Sequence, residues 1–232
     1  MFRLLLPRSY NGLLASFLIL VVIIPLAEYL ERGLWLLEVG FVVTLVFAIN
    51  AVTGYRHGVR LALLLGLPAV VGGLLALVWD EPSTIVVALT FVFTLGFLVA
   101  VIVILQRHIM TSDRVSGDTL RGAVCIYVLL GIGWAIVYRF VGFLEPNAFS
   151  IADHFVDQGR SLALHFYFSF VTLTSLGYGD ISPISPLART LAWLEALTGQ
   201  IYVALSVARL VSMYIADRGN RADVEQAGAS KS

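Results

Sequence analysis

Residues 174 to 180 read Thr-Ser-Leu-Gly-Tyr-Gly-Asp. Two hydroxyls precede a tyrosine held between glycines, and a carboxylate closes the segment. Nothing here makes a nucleophile and base pair. The whole chain offers no Gly-x-Ser-x-Gly elbow, no paired histidines and no di-acid motif within an apolar run, so an enzyme is excluded as the leading class. His57, His108, His154 and His165 are scattered without metal-ligand spacing, and the single cysteine, Cys125, excludes a disulfide framework. What the segment offers is oxygen: hydroxyl, backbone carbonyl and carboxylate. A lone Gly-Tyr-Gly is weak evidence for any function, and its weight comes from the elements around it.

Those elements are membrane helices. The 232 residues are 59% hydrophobic and only 13% charged, with fifteen basic against fifteen acidic side chains. Mean hydropathy is +0.91. A soluble domain carries about a quarter charged residues, and the balanced charge gives no surplus for nucleic acid. Long apolar runs cover Leu13–Leu30, Leu34–Val52, Val59–Trp79, Thr84–Leu105, Thr119–Val141 and Leu187–Ala216. Each matches the roughly 20 residues a bilayer crossing needs. The first run ends without a small-x-small cleavage site and reads as an uncleaved helix. Pro25, Pro68 and the Gly72–Gly73 pair predict kinks or close helix contacts.

Positive charges set the orientation. Arg3, Arg8, Arg56, Arg60, Arg107, Arg114, Arg121, Arg218, Arg221 and Lys231 fall on one side, whereas the opposite loops are rich in Asp and Glu. Six helices with both termini in the cytoplasm satisfy this bias. The expected fold is therefore an all-α membrane protein. The connection from Gly142 to Pro186 is far longer than the other loops and contains an apolar stretch, Ser161–Thr174. Fourteen residues make about 21 Å of helix, short of a hydrocarbon core of about 30 Å. Such a piece is a buried core helix or a re-entrant one that dips in and returns. Irregular backbone at that depth survives only under protein cover or beside water, so the segment after Thr174 is expected to line an aqueous path.

With this context, residues 119–216 resemble the pore module of potassium channels, whose filter pattern is Thr-Val-Gly-Tyr-Gly-Asp; here it stands as Ser175-Leu176-Gly177-Tyr178-Gly179-Asp180. The resemblance implies an outer helix, a re-entrant pore helix, a filter loop between helices five and six, and an inner helix. With one filter per chain it implies a homotetramer around one axis, in a lipid bilayer, with potassium as the permeant ion and no cofactor. It also implies a hinge at Gly199, although packing explains a membrane-helix glycine equally well.

Chemistry agrees with that pattern. Rings of backbone carbonyls can replace an ion's hydration shell, and glycine adopts the required angles cheaply, hence Gly177 and Gly179. Ser175, Leu176, Gly177 and Tyr178 are the expected potassium sites, with Thr174, Asp180, Tyr167 and Phe168 as supports. Tyr178 is expected to brace against Tyr167 and Phe168. Ser175 keeps the hydroxyl of the usual threonine but loses its methyl, and Leu176 changes packing behind the filter.

Further along, Glu195 could face water near the pore or sit hydrogen-bonded behind the filter, and Gln200 is the candidate cavity residue. Glu38 is expected to snorkel, Arg189 to anchor at the interface, and His165 to be packed unless it lends pH sensitivity. Thr84–Leu105 contains no basic residue, so it lacks the repeated arginines of a voltage sensor.

The chain divides into a four-helix domain of unassigned role at 1–118, the pore domain at 119–216 and a short cytoplasmic tail at 217–232, too short for a ligand-binding domain. A bacterial plasma membrane is the expected location. Competing functions are a weakly selective cation channel and a secondary potassium transporter. The paired interrupted helices of transporters are not found.

Overall fold

The computed structural model describes residues 11–29, 39–40, 42–44, 46–48, 56–78, 83–111, 117–151 and 162–229. The helices are α1 (Asn11–Tyr29), α2 (Arg56–Val78), α3 (Thr84–Thr111), α4 (Gly117–Leu144), α5 (Leu162–Leu173) and α6 (Pro186–Ala229). Described residues between 39 and 48 are also helical. Much of the Leu34–Val52 run, with Glu38, lies outside the described residues, as does His154. Three described helices are long and apolar enough to cross a membrane: Thr84–Thr111, Gly117–Leu144 and Pro186–Ile215. Shorter apolar helices are Asn11–Ile23, Val59–Leu75 and Leu162–Leu173.

One expectation is corrected. The chain is not purely helical: β1 (Phe149–Ile151) and β2 (Ile181–Pro183) pair antiparallel, Phe149 opposite Pro183 and Ile151 opposite Ile181. Three-residue strands carry too little alternation to register in a sequence. The last helix continues beyond the apolar run Leu187–Ala216 to Ala229; residues 217–229 contain no proline, and the glycines Gly219 and Gly228 are tolerated in a helix.

Helix α4 is the hub. Asp118 sits in its first turn, complementing the helix dipole, and Arg121 lies 3.6 Å from that carboxylate. One core joins Leu13 and Phe17 of α1, Phe97, Leu98, Val101 and Leu105 of α3, Ile126, Leu129 and Ile132 of α4, and Phe166 of α5. On the α3 side, Phe91 stacks on Phe140 with ring centres 4.1 Å apart. On the α5 side, Gly131 admits a ring: a Cβ there would come within 2.7 Å of Phe170 Cζ. Between α2 and α3, Gly72 leaves the space that Thr90 occupies, so this glycine serves close contact.

The entry to α6 is built by Ser185 and Pro186. The Ala188 N–H donates to Ser185 Oγ at 3.2 Å, and proline follows at the first helical position, where its missing N–H costs nothing. Ile184 and Ser185 both donate backbone N–H groups to the Ala148 carbonyl, at 2.7 and 3.2 Å. The two-stranded β1–β2 ladder thus ties the residues that follow α4 to the start of the last helix.

Candidate functional site: the filter loop

Helix α5 is twelve residues, about 18 Å, and matches the expected half-membrane piece within a residue at either end. Its carboxyl end turns directly into the filter segment. The Thr174 N–H donates to Phe170 O at 3.1 Å, and Ser175 N–H to Thr172 O at 2.9 Å. Leu176 and Gly177 then share one acceptor, the Val171 carbonyl, at 2.9 and 3.3 Å. Thr174 Oγ1 also turns back, to Phe170 O at 2.7 Å, which makes this hydroxyl a cap on the pore helix.

Past that cap the backbone alternates. Ser175 has φ +57°, Gly177 +60° and Gly179 +81°, whereas Leu176 and Tyr178 between them do not take positive φ. Alternating left- and right-handed residues points successive carbonyls the same way, which a strand or a helix cannot do. Among the described residues, no hydrogen bond is donated to the carbonyls of Ser175, Leu176, Gly177 or Tyr178. Sequence reasoning assigned the special angles to the two glycines and missed Ser175. A small polar side chain before the first glycine was the available signal. Holding serine there costs about 1–2 kcal/mol.

The outer end is pinned by Asp180. Tyr167 Oη donates to Asp180 Oδ2 at 2.5 Å, and the Ile181 N–H donates to Oδ1 at 3.1 Å. Ser182 Oγ donates to Gly179 O at 3.3 Å, and Arg189 Nε to Pro183 O at 3.3 Å. Arg189 thus anchors the strand after the filter.

The expected bracing of Tyr178 by Phe168 is not found. Phe168 is buried with Tyr138, Leu164 and Ile181, its ring centre 4.9 Å from that of Tyr138 and 5.4 Å from that of Phe149. One residue further on, Ser169 shares the side that meets α4 and α6, so the helix's 3.6-residue turn carries Phe168 away from the filter. Tyr178 is 66% exposed and Leu176 54% in the single chain.

Gly199, Gln200 and Glu195 of α6 and His165 of α5 each have a definite packing environment. A Cβ on Gly199 would collide with the Leu173 carbonyl and come 2.9 Å from Leu173 Cδ1, so this glycine lets α6 pass against the end of the pore helix. Gln200 Nε2 donates to Ser175 Oγ at 3.0 Å, placing its amide at the inner end of the filter. Glu195 is fully buried behind the filter helix: Tyr138 Oη donates to Oε2 at 2.6 Å, and Ser169 Oγ lies 2.5 Å from Oε1. His165 is buried, its ring centre 5.7 Å from that of Phe149.

Two further ties were missed. Tyr127 Oη donates to Leu173 O at 3.3 Å, and Tyr202 Oη to Ala123 O at 2.8 Å. Neither tyrosine belongs to a motif. No group of three metal-ligating side chains occurs among the described residues.

Residues 126–216 match the family described as Ion channel. Protein LctB of Bacillus caldotenax is 32% identical over 106 residues, which is 45% of this chain and 78% of LctB. The inward rectifier potassium channel Kirbac3.1 of Paramagnetospirillum magnetotacticum is 41% identical over 95 residues, 37% of this chain and 32% of the relative. The potassium voltage-gated channel protein shk-1 of Caenorhabditis elegans is 29% identical over 116 residues, 47% of this chain and 20% of the relative. The chain therefore covers most of LctB but a third or less of the two named potassium channels. No solved structure gives a significant match. The fold and the filter loop together define an ion-channel protein of the membrane, not an enzyme. The chain belongs to the potassium channel pore-domain family.

Proposed function

We propose that the chain is one subunit of a homotetrameric potassium channel, conducting passively through filter carbonyls contributed by Ser175, Leu176, Gly177 and Tyr178. The observation that carries this reading is the alternation of φ at Ser175, Gly177 and Gly179, with the Ser175, Leu176 and Gly177 N–H groups tied back to α5. A strand of unpaired carbonyls is unfavourable at membrane depth unless cations or water meet it. The pore helix aims its negative end at the same place.

Four copies give the exposed side chains a partner. Tyr178 and Leu176 stand out from the single chain, and α6 exposes Trp193, Leu197, Ile201 and Leu205 at four-residue spacing. Neighbouring subunits around the filter and lipid outside it cover such surfaces. Six membrane helices, with 1–118 as an accessory domain and both termini in the cytoplasm of a bacterial plasma membrane, complete the reading. Strong voltage gating is not part of it, since Thr84–Leu105 has no basic residue to move in the field. No cofactor is invoked.

The test is flux into liposomes holding the purified protein, under a potassium gradient and then a matched sodium gradient. Potassium flux with little sodium flux, blocked by barium, is expected. Equal flux of both ions points instead to a weakly selective cation channel. Flux unchanged by Tyr178→Ala and Gly177→Ala together refutes the assigned filter.

A further inference from the structure

Three fully buried polar side chains meet between α4, α5 and α6: Tyr138, Ser169 and Glu195. Their hydrogens can be counted. Ser169 Oγ carries one proton yet lies 2.8 Å from the Gly131 carbonyl and 2.5 Å from Glu195 Oε1. A carbonyl can only accept, and so can an ionised carboxylate. If Glu195 were ionised, one of those two close oxygen pairs would have no hydrogen between its atoms. Tyr138 cannot make up the deficit, because its proton is already directed at Oε2, 2.6 Å away.

We infer that Glu195 carries a proton on Oε1 and acts as a hydrogen-bond donor that seats the pore helix between the outer and inner helices. The chain of donors is then complete: Tyr138 Oη–H to Glu195 Oε2, Glu195 Oε1–H to Ser169 Oγ, and Ser169 Oγ–H to the Gly131 carbonyl. Each oxygen pair has one hydrogen, and every buried group is satisfied. This is a positioning role: Glu195 touches no filter carbonyl and acts through Ser169, which lies six residues before Ser175 on the helix that holds the filter.

The surroundings favour the same state independently. From α4, Tyr138 and Tyr127 face the carboxyl; from α5, Ser169 faces it, while His165, one turn earlier, packs against Phe149 and Gly142. Among the described residues no lysine, arginine or histidine pairs with Glu195. A charge buried at membrane depth with no counter-ion is costly, whereas a neutral carboxyl hydrogen-bonded to two hydroxyls, Tyr138 Oη and Ser169 Oγ, is not.

The inference concerns the scaffold of the proposed filter, and its test separates the two. Infrared spectra of the full chain in liposomes at neutral pH should contain the carbonyl stretch of an un-ionised carboxylic acid, lost in Glu195→Gln and shifted in heavy water. Loss of a carboxylate band in that variant, or no carboxylic band in the native chain, overturns the assignment whatever the protein conducts. In flux, Glu195→Gln reproduces the pattern, its amide donating to Ser169 and its carbonyl accepting from Tyr138, and should remain close to the native chain. Glu195→Ala leaves the buried Tyr138 hydroxyl without its acceptor and Ser169 Oγ without its donor, and should lower flux by about tenfold or more. A Gln variant as impaired as the Ala variant, though equally well folded by circular dichroism, refutes the donor role. A native chain that shows the carboxylic band but passes no potassium leaves the proton assignment standing and removes the channel reading.

Discussion

The two halves of the molecule are held by different kinds of contact. In α1 to α3 the helices meet through apolar side chains, and the hydroxyls of Ser16, Thr90 and Thr111 reach back three or four residues to carbonyls of their own helices. From α4 onward hydroxyls such as Thr190 and Thr198 do the same, but other described polar side chains reach across the structure. Tyr138 to Glu195 joins residues 57 apart, Tyr202 to Ala123 joins residues 79 apart, and Ser169 to Gly131 joins residues 38 apart. Apolar packing in a lipid solvent tolerates many arrangements of similar energy, because lipid is as apolar as leucine. A buried hydroxyl tolerates few. The comparison teaches where rigidity is specified: around the filter, residue by residue, and much less so in the helices before it. A single described side chain crosses from α6 to the end of α3, where Arg209 Nη2 donates to Met110 O at 3.0 Å.

That contrast can be broken by substitution, and the largest effect is expected in the filter itself. Gly177→Ala places a side chain at φ +60°. The space beside it is open in the single chain, so backbone angle rather than collision is the obstacle, at about 1–2 kcal/mol. Potassium flux should fall to background, measured in the liposome assay.

Gly199→Ala comes next. Its methyl would strike the Leu173 carbonyl, and overpacking of this kind costs about 1–3 kcal/mol. Thermal unfolding in detergent should shift down, with flux reduced but selectivity kept. Unchanged stability would return Gly199 to the hinge role that the sequence alone allowed.

Gln200→Ala should act on selectivity more than on stability. It removes the donor to Ser175 Oγ and frees the hydroxyl at the inner end of the filter, an interaction of about 1 kcal/mol. The potassium to sodium permeability ratio, read from reversal potentials, should drop about fivefold. Arg209→Gln tests the hydrogen bond from α6 to the end of α3. A stability loss of about 1 kcal/mol or less is expected from losing a partly exposed contact, measured by denaturant titration. Val92→Leu, on the exposed face of α3, should lie within about 0.5 kcal/mol of the native chain. A larger effect there than at Arg209 would mean that the first half is as specifically packed as the second.

The same contrast explains what could be read from the sequence. The apolar runs, the short pore helix and Gly177-Tyr178-Gly179 are local patterns, and local patterns are legible. The seat of Glu195 depends on Ser169 and Tyr138, which are distant in the chain and belong to no motif, so its two possible placements could not be separated in advance. The direction of Phe168 failed for a related reason: an aromatic next to a filter looks like a brace until helical phase turns it toward Tyr138. Arg209 has a partner only because the ends of α3 and α6 come together, which no spacing in the sequence records.

The shared carbonyl of Val171 has a consequence for the sign of charge that the proposed path would admit. Because Leu176 and Gly177 both turn their N–H groups toward it, the positive ends of those peptide dipoles are withdrawn from the face where the carbonyls lie free. On that stretch an anion would meet carbonyl oxygens with the Leu176 and Gly177 N–H groups turned away from it, without any acidic side chain being required. The proposed path is therefore expected to prefer positive ions through peptide orientation, and reversing the charge at its mouth with Asp180→Lys should slow cation passage without admitting chloride.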